Sequence, residues 1–275
     1  MIKVDLHVHA KVSKLFPFEI ESFQKTVRQA MKVGLRGFAI TEHFHSSDYW
    51  QAMDLIMTKY RYRAGQVHPA PGFNVLTGAE LTVADGADII LIGQAESLLR
   101  LDEHFSPRLS AGCFPRLRDV FEPARNAGLI MIGAHPTRPG KRLVAVGEQL
   151  LGLLDALEIN GKDVAQRSPQ KEVAGWADKA GLPLVGSSDA HLWPQVGVQR
   201  TLAPLPELTL EGLRLAISQG TVQTETLPSV RQVVKLCGTH KRLAKVSRHA
   251  QQLTSGKPRL LPQPMPGSVL AGARA

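Results

Sequence analysis

Residues 1–10 read MIKVDLHVHA. Asp5, His7 and His9 alternate with Val4, Leu6 and Val8, the period of a strand in which residues two apart share a face. One face is then apolar and the other carries a carboxylate and two imidazoles. A buried strand must give each such group a partner, so the rest of the chain has to supply the partners.

Working outward, EIESFQKTVRQAMKVG (19–34) has the period of an amphipathic helix closed by Gly34. RGFAITEH (36–43) reads as a strand and DYWQAMDLIMTKYRYRAG (48–65) as a helix ending at Gly65. FNVLTGAEL (73–81) and ADIILIG (87–93) read as strands, and residues 94–114, without clear period, as a long loop. PRLRDVFEPARNAG (115–128) reads as a helix broken or kinked near Pro123. LIMIGAHP (129–136), ALEIN (156–160) and LPLVGSSDAH (182–191) are strands. Between the last two runs a helix that starts near Asp163 and has VAGWADKAG as its core; LTLEGLRLAISQG (208–220) is another. Strands alternating with helices indicate an α/β chain with a mostly parallel sheet. About seven strands with continuous apolar runs fit a TIM-like barrel covered outside by helices.

The polar residues fall at the strand ends. The first strand ends in Asp5, His7 and His9, the second in Glu42 and His43, the third near Glu80. The later ones end in His135, in Glu158 and Asn160, and in Asp189 and His191. The C-terminal ends of parallel barrel strands share one mouth, where active sites sit. Imidazoles and carboxylates are ligands for divalent ions, and carboxylates can bridge two of them. The polar face of the first strand is thus read as a ligand face. His45, His68, His104, His240 and His249 lack this context and read as surface residues; Cys113 reads as an inert loop thiol.

The chain has 275 residues, of which 43% are hydrophobic and only 5% aromatic, so the core should be aliphatic. No apolar run approaches membrane-spanning length and no signal peptide is visible. Cys113 and Cys237 are isolated and fit no zinc or disulfide framework, which suggests a reduced, cytoplasmic protein. The net charge of +9 has one source: residues 226–275 hold nine of the 33 basic residues and no acidic one, and the other 24 balance 24 acidic residues. The stretch SVRQVVKLCGTHKRLAKVSRHAQQL (229–253) reads as a basic helix with a break near Gly238, packed on the barrel through Val230, Val233, Val234, Leu236 and Leu243. The last twenty residues, rich in Pro, Gly and Ala, read as disordered. The division is a barrel over 1–225 and a basic extension over 226–275.

DLHVHA, ITEHF, GAE, GAHP and GSSDAH, in this order and spacing, resemble the PHP (polymerase and histidinol phosphatase) family over about residues 1–225. The resemblance implies a distorted (β/α)7 barrel with a cluster of metal ions at its mouth, and hydrolysis of phosphate esters. It assigns His7 and His9 as ligands, Glu80 as a carboxylate bridging two ions, His135 as a ligand of the second ion and Asp189 of the first. His43 and His191 match ligands of a third, and Asp5 and Glu42 match residues that orient imidazoles. Two positions depart from the family. A His or Asp usually follows HxH to hold the third ion, and here AKVSKLFPF offers only Lys14. A His usually stands before the apolar run after the Glu. Here the position is Asp88, or Ile90 if the alignment slips by two; Asp88 is either an oxygen ligand favouring a harder ion or a loop residue at the strand start. The implied cofactors are two or three divalent ions (Mn, Zn, Fe or Mg), two being the better filled.

Phosphoester hydrolysis of a small phosphomonoester or nucleotide follows as the expected reaction. Asp189, His43 and His191 are the expected catalytic residues, the histidines as hydrogen-bond donors or general acid. Arg138, Lys162 and Lys14 are candidates for holding the substrate phosphate. Two alternatives remain open: a module of DNA metabolism that binds nucleic acid through the basic tail, and metal-dependent hydrolysis of a C–N bond. No membrane partner is expected, and the sequence names no oligomeric state.

Overall fold

The computed structural model describes residues 1–13, 16–110 and 113–255. The chain opens with β1 (Ile2–Val8), α1 (Ile20–Lys32), β2 (Gly37–Ile40) and α2 (Tyr49–Lys59). A small meander follows, β3 (Arg61–Arg63) and β4 (Gln66–Ala70), leading into the long β5 (Phe73–Val83) and β6 (Ala87–Ile92). Next come α3 (Ala95–Ser110), α4 (Leu117–Asn126), β7 (Ile130–Gly133), α5 (Glu148–Leu151) and β8 (Ala156–Asn160). Then α6 (Gly161–Arg167), α7 (Gln170–Ala180), β9 (Leu184–Ser187), β10 (Gln199–Ala203), α8 (Leu210–Ser218), β11 (Gln223–Thr226) and α9 (Val230–Ser255) complete it.

The strands join in the order β11-β10-β1-β2-β5-β6-β7-β8-β9. Seven of them, β1, β2 and β5 to β9, curl into a nearly closed barrel. The seam lies between β1 and β9, which meet in a parallel bridge between Val8 and Ala190, with His9 N donating to Ala190 O at 2.7 Å. Beside the seam β10 lies so close to β9 that a Cβ on Gly186 would sit 2.5 Å from Arg200 O; only glycine fits there. Every barrel strand runs in one direction except β6, which is antiparallel to both β5 and β7.

Each barrel strand contributes aliphatic residues to an interior cluster: Ile2, Val4 and Leu6, Ala39, Leu76, Ile90 and Ile92, Ile130 and Ile132, Ala156 and Val185. Helix α8 closes the base with Leu213, Ala216 and Ile217. A second cluster lies between the barrel and its outer helices, where α1 places Phe23, Val27 and Ala30, spaced three and four apart.

Strands β4, β10 and β11 and helix α5 were not read from the sequence, and other elements differ from the expectation. Residues 95–110 are helix, not loop; Leu98, Leu101 and Phe105 are buried at helical spacing. Helix α2 stops at Lys59 and Arg61–Arg63 form a strand. Pro123 sits inside α4 without breaking it. The expected helix from Asp163 is two helices, because Ser168 adopts φ +54 and precedes Pro169, whose ring disfavours a helical conformation there. Helix α9 runs through Gly238 unbroken, and Leu236 and Leu243, expected against the barrel, are 71% and 65% exposed. The last twenty residues lie outside the described ones.

Candidate metal centre

The first strand does not keep a clean period of two. Val4 and Asp5 pair with Gly37 and Phe38, but Val8 pairs with Ile40, so β1 uses three steps where β2 uses two. This is a β-bulge, and it shifts the phase of the strand. Leu6 stays with the interior cluster, while His7 and His9 also turn inward above it. Asp5 is left beside Phe38 and does not join the histidines. Its carboxylate accepts N–H bonds from Ser188 at 2.9 Å and Gly197 at 2.8 Å, which ties β1 to the end of β9 and the turn beyond it. The expected single face of Asp5, His7 and His9 is therefore split by one residue.

Glu80 stands at the centre of the mouth. It lies three residues before the end of β5, because β5 and β6 continue past the rim as a hairpin. His43 is bridged to it at the end of β2, with Phe44 N donating to Glu80 O at 2.9 Å. His135, φ +31, and Asp189, φ +53, occupy the left-handed region directly after β7 and β9. Non-glycine residues rarely adopt it without cost, so two inward-pointing side chains are held by strained backbone.

Ligand atoms gather in three corners around Glu80. In the first, His7 donates Nδ1–H to Glu158 Oε1 at 2.9 Å, which fixes the tautomer and turns the Nε2 lone pair inward. His9 Nδ1 lies 3.4 Å from Glu42 Oε2. The two Nε2 atoms are 3.2 Å apart. Glu80 oxygens lie 3.7 and 3.4 Å from them, and Asp189 Oδ1 3.8 and 3.6 Å. In the second corner His135 Nε2 is 3.1 Å from Glu80 Oε1 and 3.6 Å from Asp88 Oδ2. In the third, His9, His43 and His191 offer ring nitrogens within 4.8 Å of one another.

These residues fit divalent ions. Two imidazole nitrogens facing each other at 3.2 Å need a positive charge between them, a proton or a metal ion. Glu80 Oε2 is buried 2.7 Å from His43 Nδ1, with no hydrogen bond formed between them. Burial works against charge on His7, yet Glu158, Asp189 and Glu80 outweigh it and hold the imidazole well above its usual range. The cluster thus draws positive charge to the point where its ligand atoms converge. Burial opposes ionisation of Asp189 too, but Lys162, His7 and Arg138 keep it well below the usual carboxylate range. His191 is pushed well below the usual imidazole range, by burial first and then by the charge of Lys162.

The rim is cationic. Arg138 donates to Asp163 at 2.8 Å, to Asn160 at 2.8 Å and to Asp189 at 3.1 Å. Lys162 Nζ is 2.8 Å from Asp189 Oδ1, and Lys141 Nζ grips both oxygens of Asp88 at 2.7 and 2.6 Å. Lys14 lies outside the described residues.

Residues 168–222, which include Asp189 and His191, match the PHP-associated family. The match covers the stretch from α7 to α8. The chain's fold is shared by PsfC of Pseudomonas syringae PB-5123, at 23% identity over 88% of this chain and 98% of that one, with a TM-score of 0.74. It is also similar to a lesion-specific endonuclease of Pyrococcus furiosus, at 18% identity with a TM-score of 0.58. The match covers 81% of this chain and spans 57% of the endonuclease. Endonuclease Q in complex with a 27-mer duplex carrying an abasic lesion is similar at 17% identity, covering 82% and 58% of the two chains, with a TM-score of 0.57. No curated protein matches the chain by sequence.

The departure at Asp88 from the resemblance drawn from sequence has a structural answer. Because β6 is reversed, its first residues lie at the mouth, where the other strands end. Asp88 pairs across from Thr82, and Ile90 pairs across from Glu80, so Ile90 lies one layer down in the aliphatic interior and Asp88 lies at the ligand level. The third corner contains His9 as well as His43 and His191, which sequence spacing did not join. Two further residues escaped the sequence reading. Glu158 had been noted only as a strand-end carboxylate, yet it orients His7 and also accepts from His135 N at 2.6 Å and Ser187 Oγ at 2.6 Å. Lys241, in the basic helix, is half-buried, and the charges of Asp189 and Glu80 reach it.

Proposed function

We propose that the chain is a metal-dependent phosphoesterase acting on a small phosphorylated substrate, a phosphomonoester or nucleotide. The observation that carries this reading is the meeting of the His7 and His9 Nε2 atoms at 3.2 Å beneath Glu80 and Asp189, inside a ring of cations. His7, His9, Glu80 and Asp189 would hold one ion, and Glu80, Asp88 and His135 a second. His9, His43 and His191 form a weaker third position without a carboxylate of its own. Divalent ions, when bound, supply hydroxide near neutral pH and offset phosphoryl charge.

The chain's own groups do the rest. Arg138 is already fixed by Asp163 and Asn160, so its guanidinium can face a phosphate without new ordering. Lys162 adds a point charge beside it. Burial keeps His191 neutral, so it can ligate or donate N–H but does not store a proton at neutral pH. His43, whose side chain is 20% exposed, is the better placed of the two to protonate a leaving group. The test is turnover of a panel of phosphomonoesters, nucleotides and phosphodiesters by Mn-loaded protein, before and after chelation. Chelator-sensitive turnover that returns on adding Mn is expected; a panel with no turnover in any metal would sink the reading.

A nucleic-acid role is the competing reading, favoured by the exposed Arg231, Lys235, Arg242 and Lys245 on α9. Salt-dependent DNA binding with a log–log slope of several units would support it. No helix among the described residues is long and apolar enough to cross a membrane.

A further inference from the structure

Helix α9 crosses one side of the mouth. Its inward stripe is Val230, Val234, Cys237, Lys241 and Arg248, the spacing of one helix face. The first three are buried and the last two half-buried. Arg231 Nη2 bonds Ser168 Oγ at 3.2 Å, just beyond α6. Farther along, the helix packs on α6 and on the Trp193–Gln195 turn that follows β9. Arg248 then lies over the Phe16 ring, 4.8 Å from its centre, in the loop after β1. All three places belong to loops leaving the mouth. Lys241 stands between them, on the stripe, where an apolar residue would ordinarily continue the packing.

Its surroundings are unusual for a lysine of this chain. Five described lysines are not fully exposed: Lys3, Lys11, Lys141, Lys162 and Lys241. Four are ion-paired, with Glu225, Asp48, Asp88 and Asp189. Lys241 makes no ion pair or hydrogen bond among the described residues. The charges of Lys162, Asp189, Lys245 and Glu80 nevertheless reach it, and burial with the Lys162 charge presses its ammonium down to about 7. A half-buried ammonium on a helix packed against α6, which carries Lys162, with no carboxylate of its own, costs stability unless an anion arrives. If an ion takes Asp189, Lys162 also shares its partner, and two cations face the same space.

We propose that Lys241 and Lys162 form an anion subsite on the rim of the metal centre, which holds a phosphate or carboxylate group of a small substrate, and that α9 is therefore part of the substrate site. The phosphoesterase reading enters only in naming the reacting group; the cation pair stands without it.

The experiment measures binding of inorganic phosphate and of malonate to the full chain by calorimetry, with and without Mn. It compares wild type, Lys241→Met, Lys241→Arg and, as a control on the exposed face of the same helix, Arg242→Gln. Lys241→Met is expected to weaken at least one anion by about tenfold or more, the loss of a charged hydrogen bond. Lys241→Arg should retain affinity within about threefold and Arg242→Gln should bind as wild type. Lys241→Met should melt no lower than wild type, because it removes an uncompensated charge; Lys241→Gln is the second neutral variant should Met misfold. Unchanged binding by both neutral variants, equal loss in Arg242→Gln, or a wild type that binds neither anion would each overturn the subsite. The two readings separate cleanly. Lys241-dependent malonate binding by a protein that hydrolyses no phosphoester would keep the subsite and end the phosphoesterase reading. Phosphoester turnover with KM unaltered in Lys241→Met would do the reverse.

Discussion

The two ends of the barrel interior are made by the same seven strands and obey opposite rules. At the base, Ile92, Ile130, Ile132 and Ala156 pack under α8, and stability comes from apolar area removed from water. At the mouth, His7, His9, Glu80, Asp88, His135 and Asp189 are no more exposed, yet nearly every contact among them is between groups that water would solvate better. Only a layer separates them: Glu80 pairs across from Ile90, and Ile90 across from Ile132. The base supplies the free energy with which the mouth is held in a charged, strained arrangement. Substitutions at the two ends should therefore separate into those that cost activity and those that cost stability.

The largest separation is expected at Asp189. Asp189→Asn removes a ligand atom that faces both imidazoles, and turnover should fall by at least about a thousandfold, the upper range for losing one electrostatic group at a reacting centre. Arg138 keeps Asp163 and Asn160, so the melting temperature of metal-free protein should move by only about a few degrees. Full activity in this variant with several phosphoesters would remove Asp189 from the site. At the base, Ile132→Ala should cost roughly 3–4 kcal/mol in denaturant unfolding, the transfer and cavity terms together, while kcat of the folded fraction stays the same. A drop in kcat equal to that of Asp189→Asn would show that the two ends are not separable.

The third comparison is acid sensitivity. Burial opposes ionisation of Glu158, but the charge and hydrogen bond of His7, with His135 and Ser187 beside it, lower its pKa from 4.5 to about 2. A depressed carboxylate contributes stability that is complete above pH 4.5 and is lost as pH falls toward 2. The contribution is about 3 kcal/mol on this shift. Metal-free Glu158→Gln should be less stable at pH 7 and should show a flatter slope between pH 4.5 and 2 than wild type. Identical slopes in the two proteins would mean that another carboxylate governs that window. The smallest effect concerns the third corner. Three imidazoles with no carboxylate beyond the shared Glu80, 2.7 Å from His43, hold an ion less firmly than the corners that add Asp189 or Asp88. Metal analysis after gentle purification in excess Mn should give about two ions per chain and little change for His191→Ala; three tightly held ions would contradict it.

Much of the mouth could be read from order alone, since HxH and the DAH of GSSDAH fall where strands end; the Glu of GAE does not, because β5 runs on to Val83. The bulge could not, because sliding a register by one residue leaves the alternation of Asp5, His7 and His9 unaltered on paper while it turns Asp5 away in space. The direction of β6 was equally hidden: ADIILIG is an apolar run whichever way it points, so Asp88 looked like the wrong end of a strand. Helix α9 showed its basic character but not its stripe, since Leu236 and Leu243 are as apolar as Val234 and only packing tells which face is covered. What a sequence of this kind withholds is phase and direction, both of which are decided by neighbours distant in the chain.

The seam between β1 and β9 carries a consequence for how the protein comes into being. Ile2 pairs with Ala203 and His9 with Ala190, so the first strand made must wait for nearly the last. A chain emerging N-terminus first exposes His7 and His9 long before Asp189 exists, and such distant pairings are slow to form. The ligands of the first corner can meet only when the ring closes, so an ion can reward the finished barrel but cannot guide its early assembly.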